Sequence, residues 1–252
     1  MILIIANDKR MTYLAQLLSD FFNVVCYGEK VDLAQIKYAI LPFKIDKRDM
    51  VELVAKLPEN CVIFTPIMRD FLQHLPQEIE IIMDYDEIAI YNSIPTAEGT
   101  LYYIMQNTEF TIHGANIHVI GAGRCGETLA KTLKGLGANV NISSRNPALV
   151  ARLFESGIAV VETNTKTLQQ ADIIINTVPA LMLGKEQLEQ VKKEVYIADI
   201  ASAPGGVDFD YAEKLGIKAE LLPALPGIVA PKTAASYLAQ FIKRKMDERQ
   251  VF

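Results

Sequence analysis

The sequence predicts an α/β protein in which a doubly wound parallel-sheet domain follows a smaller N-terminal parallel α/β domain. Short apolar runs alternate with amphipathic stretches along most of the chain, which is the pattern of strands joined by crossover helices. The chain has 252 residues, of which 50% are hydrophobic and 22% are charged. That length and composition allow two modest cores, so we expect two domains that are each built around a parallel sheet.

The first domain is expected to span residues 1–92. Its near-continuous apolar runs, such as MILIIA and CVIFTPI, are typical of strands that are buried on both faces. Stretches with an apolar stripe at helical spacing lie between these runs. The pattern predicts helices over residues 11–22 and 49–57, and strands over residues 1–6, 24–27, 38–43 and 61–67.

A bridging helix is predicted within residues 93–110, with Ser93 as its cap and Pro95 in its first turn. The second domain, residues 111–231, shows six strand-like runs, at residues 117–120, 140–143, 158–161, 173–177, 195–200 and 218–222. Helices are predicted over residues 124–136, 147–156, 185–191 and 210–215. A last helix, over residues 232–249 of the terminal segment 232–252, is expected to pack back on the first domain. It would leave a cofactor cleft between the two domains.

Charge and composition exclude several classes of protein. The net charge is −5, and residues 1–92 carry 9 Lys and Arg against 14 Asp and Glu, whereas nucleic-acid-binding proteins normally show a basic patch. No apolar run approaches the ~18 residues of a membrane-spanning helix, and the amino terminus lacks a secretory signal. We therefore expect a cytoplasmic protein that binds neither nucleic acid nor membrane. Three cysteines and three histidines show no metal-ligand spacing, which predicts reduced thiols and no metal site.

A glycine-rich turn follows the first strand of the second domain. Its residues are Gly121, Ala122, Gly123, Arg124, Cys125 and Gly126, a GxGxxG pattern between a predicted strand and a predicted helix. Such glycines permit a tight turn, close approach of backbone amides to a pyrophosphate, and close packing of the helix on the strand. A run of packing glycines is the alternative. With five further strands in the same rhythm, the pattern predicts a Rossmann domain that binds a nicotinamide or flavin dinucleotide.

The second strand of this domain leads into Ser143, Ser144 and Arg145. An NAD-specific site usually has an acidic residue about 20 residues beyond the glycines, where it binds the ribose 2′-hydroxyl and would repel a 2′-phosphate. Two hydroxyls and a guanidinium can instead donate hydrogen bonds to that phosphate. We therefore predict NADP rather than NAD as the cofactor. A turn with an exposed arginine is the alternative.

Small and polar residues follow the other strands of this domain, at the sheet edge where parallel sheets bind ligands. Asp199 can orient a loop as a buried carboxylate or accept a proton, and we favour the first role. The cofactor-binding candidates at these strand ends are Asn176, Thr177, Val178, Pro179, Ala201, Ser202 and Gly227. Gly205 and Gly206 are candidates for substrate binding.

Two further segments supply candidates for substrate binding and catalysis. Lys232 and Thr233 open the last helix, where a cation beside a helix N-terminus suits a substrate carboxylate. The start of the bridging helix carries Asn92, Ser93, Thr96 and Glu98. Glu98 and Lys232 are the candidates for catalytic proton transfer. The alternatives are a favourable charge near a helix N-terminus for Glu98 and a surface lysine for Lys232.

Four longer segments carry a resemblance to a known family. They are residues 88–99 (IAIYNSIPTAEG), 111–114 (TIHG), 201–209 (ASAPGGVDF) and 225–234 (LPGIVAPKTA). Through these segments the sequence resembles the dipicolinate synthase A subunits from residue 88 to the end. The resemblance implies an NADP-linked oxidoreductase that oxidises a dihydrodipicolinate-type precursor to the pyridine dicarboxylate stored in bacterial spores. It also implies a partner, which is a flavoprotein-like B subunit.

The first third departs from the pattern of that family. The family follows its ILP strand with a Thr/Gly-rich loop, whereas this chain has FKIDKR at residues 43–48. An NADP-dependent dehydrogenase or reductase of another small carboxylated imine or amino acid is therefore an alternative, and a non-catalytic nucleotide-sensing subunit is another. The expected partners are a small dicarboxylate substrate, further copies of this chain in a homo-oligomer, and the B-like subunit.

Overall fold

The structure, a computed structural model, describes residues 1–44 and 47–250, so part of the divergent segment 43–48 lies outside the described residues. The chain divides into two compact units. The first unit comprises Met1–Asn92 together with Pro226–Phe252, and the second comprises Ser93–Leu225. The first unit is therefore discontinuous in sequence, whereas the second is continuous.

The first unit contains five parallel strands in the order β2-β1-β3-β4-β5. They are β1 (Ile2–Ile4), β2 (Val24–Cys26), β3 (Tyr38–Ile40), β4 (Val62–Thr65) and β5 (Glu78–Ile81). Two helices connect strands of this sheet, α1 (Lys9–Ser19) and α2 (Lys47–Ala55). The carboxylate of Asp8 caps α1 by accepting a hydrogen bond of 2.8 Å from the backbone N–H of Met11.

Helix α3 (Asp86–Asn107) carries the chain from the first unit into the second. The second unit contains six parallel strands in the order β11-β10-β9-β6-β7-β8. They are β6 (Asn116–Ile120), β7 (Asn139–Ser143), β8 (Ala159–Val160), β9 (Ile173–Asn176), β10 (Tyr196–Asp199) and β11 (Lys218–Leu221). The strand order reverses at β6, as in a Rossmann sheet. The predicted fold class, two parallel α/β sheets of which the second is doubly wound, is confirmed.

Helices cover both faces of the second sheet. They are α4 (Arg124–Gly135), α5 (Pro147–Glu155), α6 (Thr165–Gln170), α7 (Lys185–Leu188) and α8 (Phe209–Lys214). Successive residues of a strand point to opposite faces. Val119 of β6 therefore packs in one core with Leu129 of α4, while Ile120 packs in another with Leu168 of α6.

Two helices follow β11, the short α9 (Leu225–Val229) and the long α10 (Pro231–Gln250). α10 contributes Leu238, Ile242 and Met246 to a core of the first unit that also contains Leu14 and Leu18 of α1. Within the described residues, none of the helices combines the length and the apolar character needed to cross a membrane.

Four elements differ from the prediction, and one of them is α9, where no helix was predicted because Pro226 and Gly227 are typical of a turn. α3 begins at Asp86 rather than at Ser93, because one proline removes only one backbone donor and because Asp86 and Glu87 favour a helix N-terminus. Strand β5 was not predicted, since its EIEI pattern belongs to a half-exposed edge strand. Helix α6 was not predicted either, because only Leu168 of its six residues is apolar.

Candidate functional site

The glycine-rich turn lies at the carboxyl end of β6, in the middle of the second sheet. Gly121 has a φ of +95°, and a Cβ there would lie 2.6 Å from Thr177 Oγ1 and from Val178 Cγ2. Only glycine fits both the backbone conformation and the space. The Thr177 hydroxyl donates to the carbonyl oxygens of Ile120 (3.0 Å) and Gly121 (3.2 Å). Thr177, which follows β9, therefore stabilises the conformation of the glycine turn that follows β6.

The N-terminus of α4 opens directly from this turn. Its N-cap is Gly123, which has no side chain to accept hydrogen bonds from the first turn, and a Cβ there would meet no atom within 4 Å. A Cβ at Gly126 would instead overlap the carbonyl oxygen of Gly121. The helix therefore lies as close to the turn as backbone atoms permit. Its first N–H groups and its dipole favour an anion in the open space above Gly123.

A cavity of about 530 Å³ extends from the turn across the carboxyl ends of β6, β7 and β8, and it is named the coenzyme cavity after the ligand that the sequence predicts for it. It is lined by Ile120, Gly121, Ala122, Gly123, Ser143, Ser144, Arg145, Asn146, Leu149, Val161, Glu162, Thr163, Val178 and Met182. Seven of the predicted cofactor-binding residues are thus brought together around one space: Gly121, Ala122, Gly123, Ser143, Ser144, Arg145 and Val178. Among the described residues, none forms a hydrogen bond or ion pair with the exposed guanidinium of Arg145. It is therefore available to an anionic ligand.

Sequence reasoning missed the residues that follow β8. Glu162 and Thr163 line the same cavity, and Thr163 Oγ1 donates to Ser143 Oγ at 3.1 Å. His118 Nε2 lies 2.9 Å from Thr163 Oγ1. His118 is 1% exposed, and this burial lowers its pKa to about 4. The one signal in the sequence was a histidine inside the apolar strand NIHVI.

Asp199 and Asn176 connect the ends of β9 and β10. The buried Asp199 carboxylate accepts hydrogen bonds from Asn176 Nδ2 (3.0 Å) and from the backbone N–H groups of Ala201 (3.0 Å) and Gly206 (2.6 Å). Asn176 in turn exchanges hydrogen bonds with the backbone of Val178. Asp199 thus orients two loops, and this arrangement fits the structural role favoured above.

The remaining candidates of the second unit lie outside the lining of the coenzyme cavity. Arg124 and Cys125 occupy the first turn of α4, where burial raises the pKa of the Cys125 thiol. Asn176 and Ala201 are buried, whereas Pro179 and Ser202 are exposed. Gly205 has a φ of +86° and a Cβ there would lie 2.5 Å from Asp199 Oδ2, while a Cβ at Gly206 would overlap the carbonyl oxygen of Ala180. Both glycines are therefore packed closely against the loops that Asp199 orients.

The candidates on α3 differ in exposure. Ser93 and Thr96 are buried, and Ser93 Oγ lies 2.6 Å from Thr128 Oγ1 of α4. Glu98 is exposed, and Asn92 is partly buried. Ser93 does not cap a helix, because α3 runs through it.

The last three candidates belong to the first unit. Lys232 and Thr233 lie in the first turn of α10, where Thr233 is exposed and Lys232 is partly buried. Gly227 lies beside the buried guanidinium of Arg10, and a Cβ there would be 3.6 Å from Arg10 Cζ. None of the three lines the coenzyme cavity, which is formed entirely by the second unit.

Comparisons with known proteins agree with this geometry. Residues 98–207 match the family model of the NAD-binding domain of D-isomer specific 2-hydroxyacid dehydrogenases. Together with the glycine turn, this match identifies an oxidoreductase that uses a nicotinamide coenzyme. The A subunit of dipicolinate synthase from Bacillus subtilis is 40% identical over an alignment that covers 90% of this chain and 83% of that protein.

Two crystal structures are similar over nearly the whole chain. The dipicolinate synthase A subunit from Bacillus halodurans has a TM-score of 0.87 at 36% identity, with 96% of each chain covered. The corresponding structure from Bacillus subtilis also has a TM-score of 0.87, at 35% identity, with 99% of this chain and 96% of that chain covered. Both the sequence and the fold of this chain are thus similar to those of dipicolinate synthase A subunits along both units. The chain belongs to the family of dipicolinate synthase A subunits.

Proposed function

We propose that this chain is the NADP-linked subunit of a dipicolinate synthase, which oxidises a dihydrodipicolinate-type precursor to dipicolinate together with a flavoprotein-like B subunit. The proposal is supported by 40% identity to the Bacillus subtilis protein over most of both chains. The observation that carries the choice of NADP is the position of Arg145, Ser143 and Ser144 on the coenzyme cavity.

The residues of the cavity fit an NADP molecule. Open space above Gly123 leaves room for a pyrophosphate at the N-terminus of α4. Ser143, Ser144 and Arg145 are donors suited to the 2′-phosphate, and the guanidinium can bind it with two parallel hydrogen bonds. A coenzyme bound there would supply the hydride acceptor for the oxidation. The chain's own part is to hold coenzyme and substrate in register and to exclude water.

One observation favours NAD instead. Glu162 lines the same cavity, and a carboxylate there could accept hydrogen bonds from the hydroxyls of an adenosine ribose while repelling a phosphate. Neutralising Glu162 therefore separates the two coenzymes. If NADP is the coenzyme, Glu162→Gln tightens NADPH binding. If NAD is the coenzyme, the same change weakens NADH binding.

The coenzyme proposal is tested by fluorescence titration of NADPH and NADH into wild type, Arg145→Ala and Glu162→Gln. Loss of charged hydrogen bonds worth about 1.5–3 kcal/mol predicts about tenfold to hundredfold weaker NADPH binding for Arg145→Ala, with NADH within about twofold. Arg152→Ala is the matched control, because Arg152 is an exposed arginine of the neighbouring α5 that does not line the cavity. Equal losses for both coenzymes, or none, would refute the choice of NADP.

The substrate and the partner require a separate assay. We propose Glu98 and Lys232 for proton transfer and for binding a substrate carboxylate, with Asn92, Ser93, Thr96, Gly205, Gly206 and Thr233 as further substrate-binding residues. The assay mixes the purified chain, a B subunit, freshly generated hydroxytetrahydrodipicolinate and NADP, and follows the absorbance of reduced coenzyme and of dipicolinate. Glu98→Gln and Lys232→Met should each slow turnover, whereas Lys214→Met, at the exposed end of α8, should not.

The outcomes of this assay distinguish the alternatives. Coenzyme reduction without dipicolinate would indicate another small carboxylated imine or amino acid as substrate. Tight coenzyme binding without turnover, even with the B subunit present, would indicate a nucleotide-sensing subunit. Normal turnover by both Glu98→Gln and Lys232→Met would remove that pair from the mechanism.

A further inference from the structure

Two polar side chains, His118 and Thr163, connect by hydrogen bonds to Ser143 of the coenzyme cavity, and neither has a role in the function proposed above. Ser143 is paired with Ile120 in the β6–β7 register, and His118 lies two residues before Ile120. Because side chains alternate along a strand, His118 and Ser143 point to the same face of the sheet. Thr163, which follows β8, lies between them, at 2.9 Å from His118 Nε2 and 3.1 Å from Ser143 Oγ.

The hydrogen-bond partners of His118, Thr163 and Ser143 determine which of these groups donates in each hydrogen bond. His118 Nδ1 is buried and has no hydrogen-bond partner among the described residues. A buried N–H without an acceptor is more costly than a buried acceptor without a donor, so the proton of the neutral imidazole belongs on Nε2. His118 Nε2–H then donates to Thr163 Oγ1. Thr163 has one hydroxyl hydrogen, which it donates to Ser143 Oγ.

This direction determines what Ser143 can offer to a ligand. Its oxygen already accepts a hydrogen bond from Thr163, and no described residue accepts the hydrogen of its hydroxyl group. Ser143 lines the coenzyme cavity, so that hydrogen can be directed into the cavity. A ribose 2′-hydroxyl can both donate and accept, whereas a 2′-phosphate dianion can only accept. A serine held as a donor therefore favours the phosphate.

We propose that His118 and Thr163 are positioning residues that hold the Ser143 hydroxyl as a hydrogen-bond donor toward the 2′-phosphate, and thereby contribute to the preference for NADP over NAD. This inference rests on the proposed use of NADP. Neither His118 nor Thr163 needs to touch the phosphate. Their contribution is the direction of the hydrogen bonds that end at Ser143.

The test measures the affinities of NADPH and NADH by fluorescence titration, without any turnover. Thr163→Val keeps the shape of the side chain but removes its hydroxyl group, so NADPH should bind about threefold to tenfold more weakly, while NADH changes less than about twofold. Thr163→Ser restores a hydroxyl and should keep the wild-type ratio. Thr132→Val is the matched control, because its hydroxyl bonds only within α4, to the carbonyl oxygen of Thr128.

A double-mutant cycle tests the proposal even if Thr163→Val destabilises the protein, because a loss that affects NADPH and NADH equally does not count as a selective loss. Ser143→Ala should cause the same selective loss of NADPH affinity, and adding Thr163→Val to it should cause no further selective loss, because both changes remove one donor. Equal weakening of both coenzymes by Thr163→Val, or additive effects in the cycle, would show a merely structural role and overturn the proposal.

Two further results separate this proposal from the function on which it rests. If Arg145→Ala abolishes the preference for NADPH while Thr163→Val leaves it intact, the use of NADP stands and the positioning role is wrong. If the wild-type protein binds NADH at least as tightly as NADPH, both proposals fail together.

Discussion

Burial of His118 should make the stability of this protein depend on pH in a defined window. The pKa of His118 is about 4 in the folded protein, against 6.5 for an exposed histidine. Between pH 6.5 and about 4, His118 is protonated in the unfolded chain but neutral in the folded protein. The free energy of unfolding therefore falls as the pH is lowered. Above pH 6.5 both states are neutral at this residue, and its contribution to the pH dependence disappears.

The magnitude follows from the difference of about 2.5 units between 6.5 and about 4. One unit corresponds to about 1.36 kcal/mol, so lowering the pH from 7.5 should cost about 2 kcal/mol by pH 5 and about 3 kcal/mol by pH 4. The variant His118→Asn keeps a hydrogen-bond donor and cannot titrate in this range. Between pH 7.5 and pH 5 or 4, the free energy of unfolding of this variant should therefore fall by about 2 or 3 kcal/mol less than that of wild type. This difference does not depend on the variant's stability at pH 7.5.

The assay is urea unfolding of the coenzyme-free protein at pH 7.5, 6.5, 5 and 4, with wild type and variant side by side. Carboxylates that titrate near pH 4 are shared by both proteins, so their effects cancel in the difference. Thr132→Val is the control, since it changes a residue of α4 in the same unit without removing a titratable group, and it should keep the wild-type pH dependence. Parallel stability curves for wild type and His118→Asn between pH 6.5 and 4 would refute the reasoning.

Three further changes have definite expected outcomes. Gly126→Ala should weaken coenzyme binding more than about tenfold in a fluorescence titration, because the new Cβ overlaps the backbone of the glycine turn, whereas Gly135→Ala, at the open end of the same helix, should not; equal affinities would contradict this. Asp199→Asn should lower the free energy of unfolding by about 2–3 kcal/mol, since an amide cannot accept from all three donors; an unchanged urea midpoint would count against the loop-orienting role. Arg249→Met should cost about 1 kcal/mol at low salt through loss of its ion pairs with two glutamates of β5, and the difference from wild type should shrink in 1 M NaCl. A difference that persists in salt would point to packing instead.

The sequence predicted those parts of the site that depend on local structure. A strand, a glycine turn and a helix are adjacent in the chain, so their spacing was enough to place Gly121 and Gly123 at the N-terminus of α4. The position of Ser143 and Arg145 on the cavity was predictable for the same reason, since the end of the second strand of a doubly wound sheet lies beside that turn.

Residues that meet only through strand pairing could not be found in this way. His118, Thr163 and Ser143 belong to three different strands or strand ends, and their contact depends on the registers of β6 with β7 and of β7 with β8. Glu162 escaped notice because β8 is only two residues long and its end gives no clear pattern. Strand β5 and helix α6 were missed because tertiary packing, not their own composition, stabilises them.

The discontinuity of the first unit bears on the order in which the chain can fold during synthesis. The apolar side chains of α10 complete a core around α1, yet α10 is synthesised after all the other strands and helices described above. The second unit, by contrast, holds all six of its strands within one uninterrupted stretch, Ser93–Leu225. On a translating ribosome the second unit can therefore fold first. The apolar core of the first unit stays partly exposed until α10 has been synthesised.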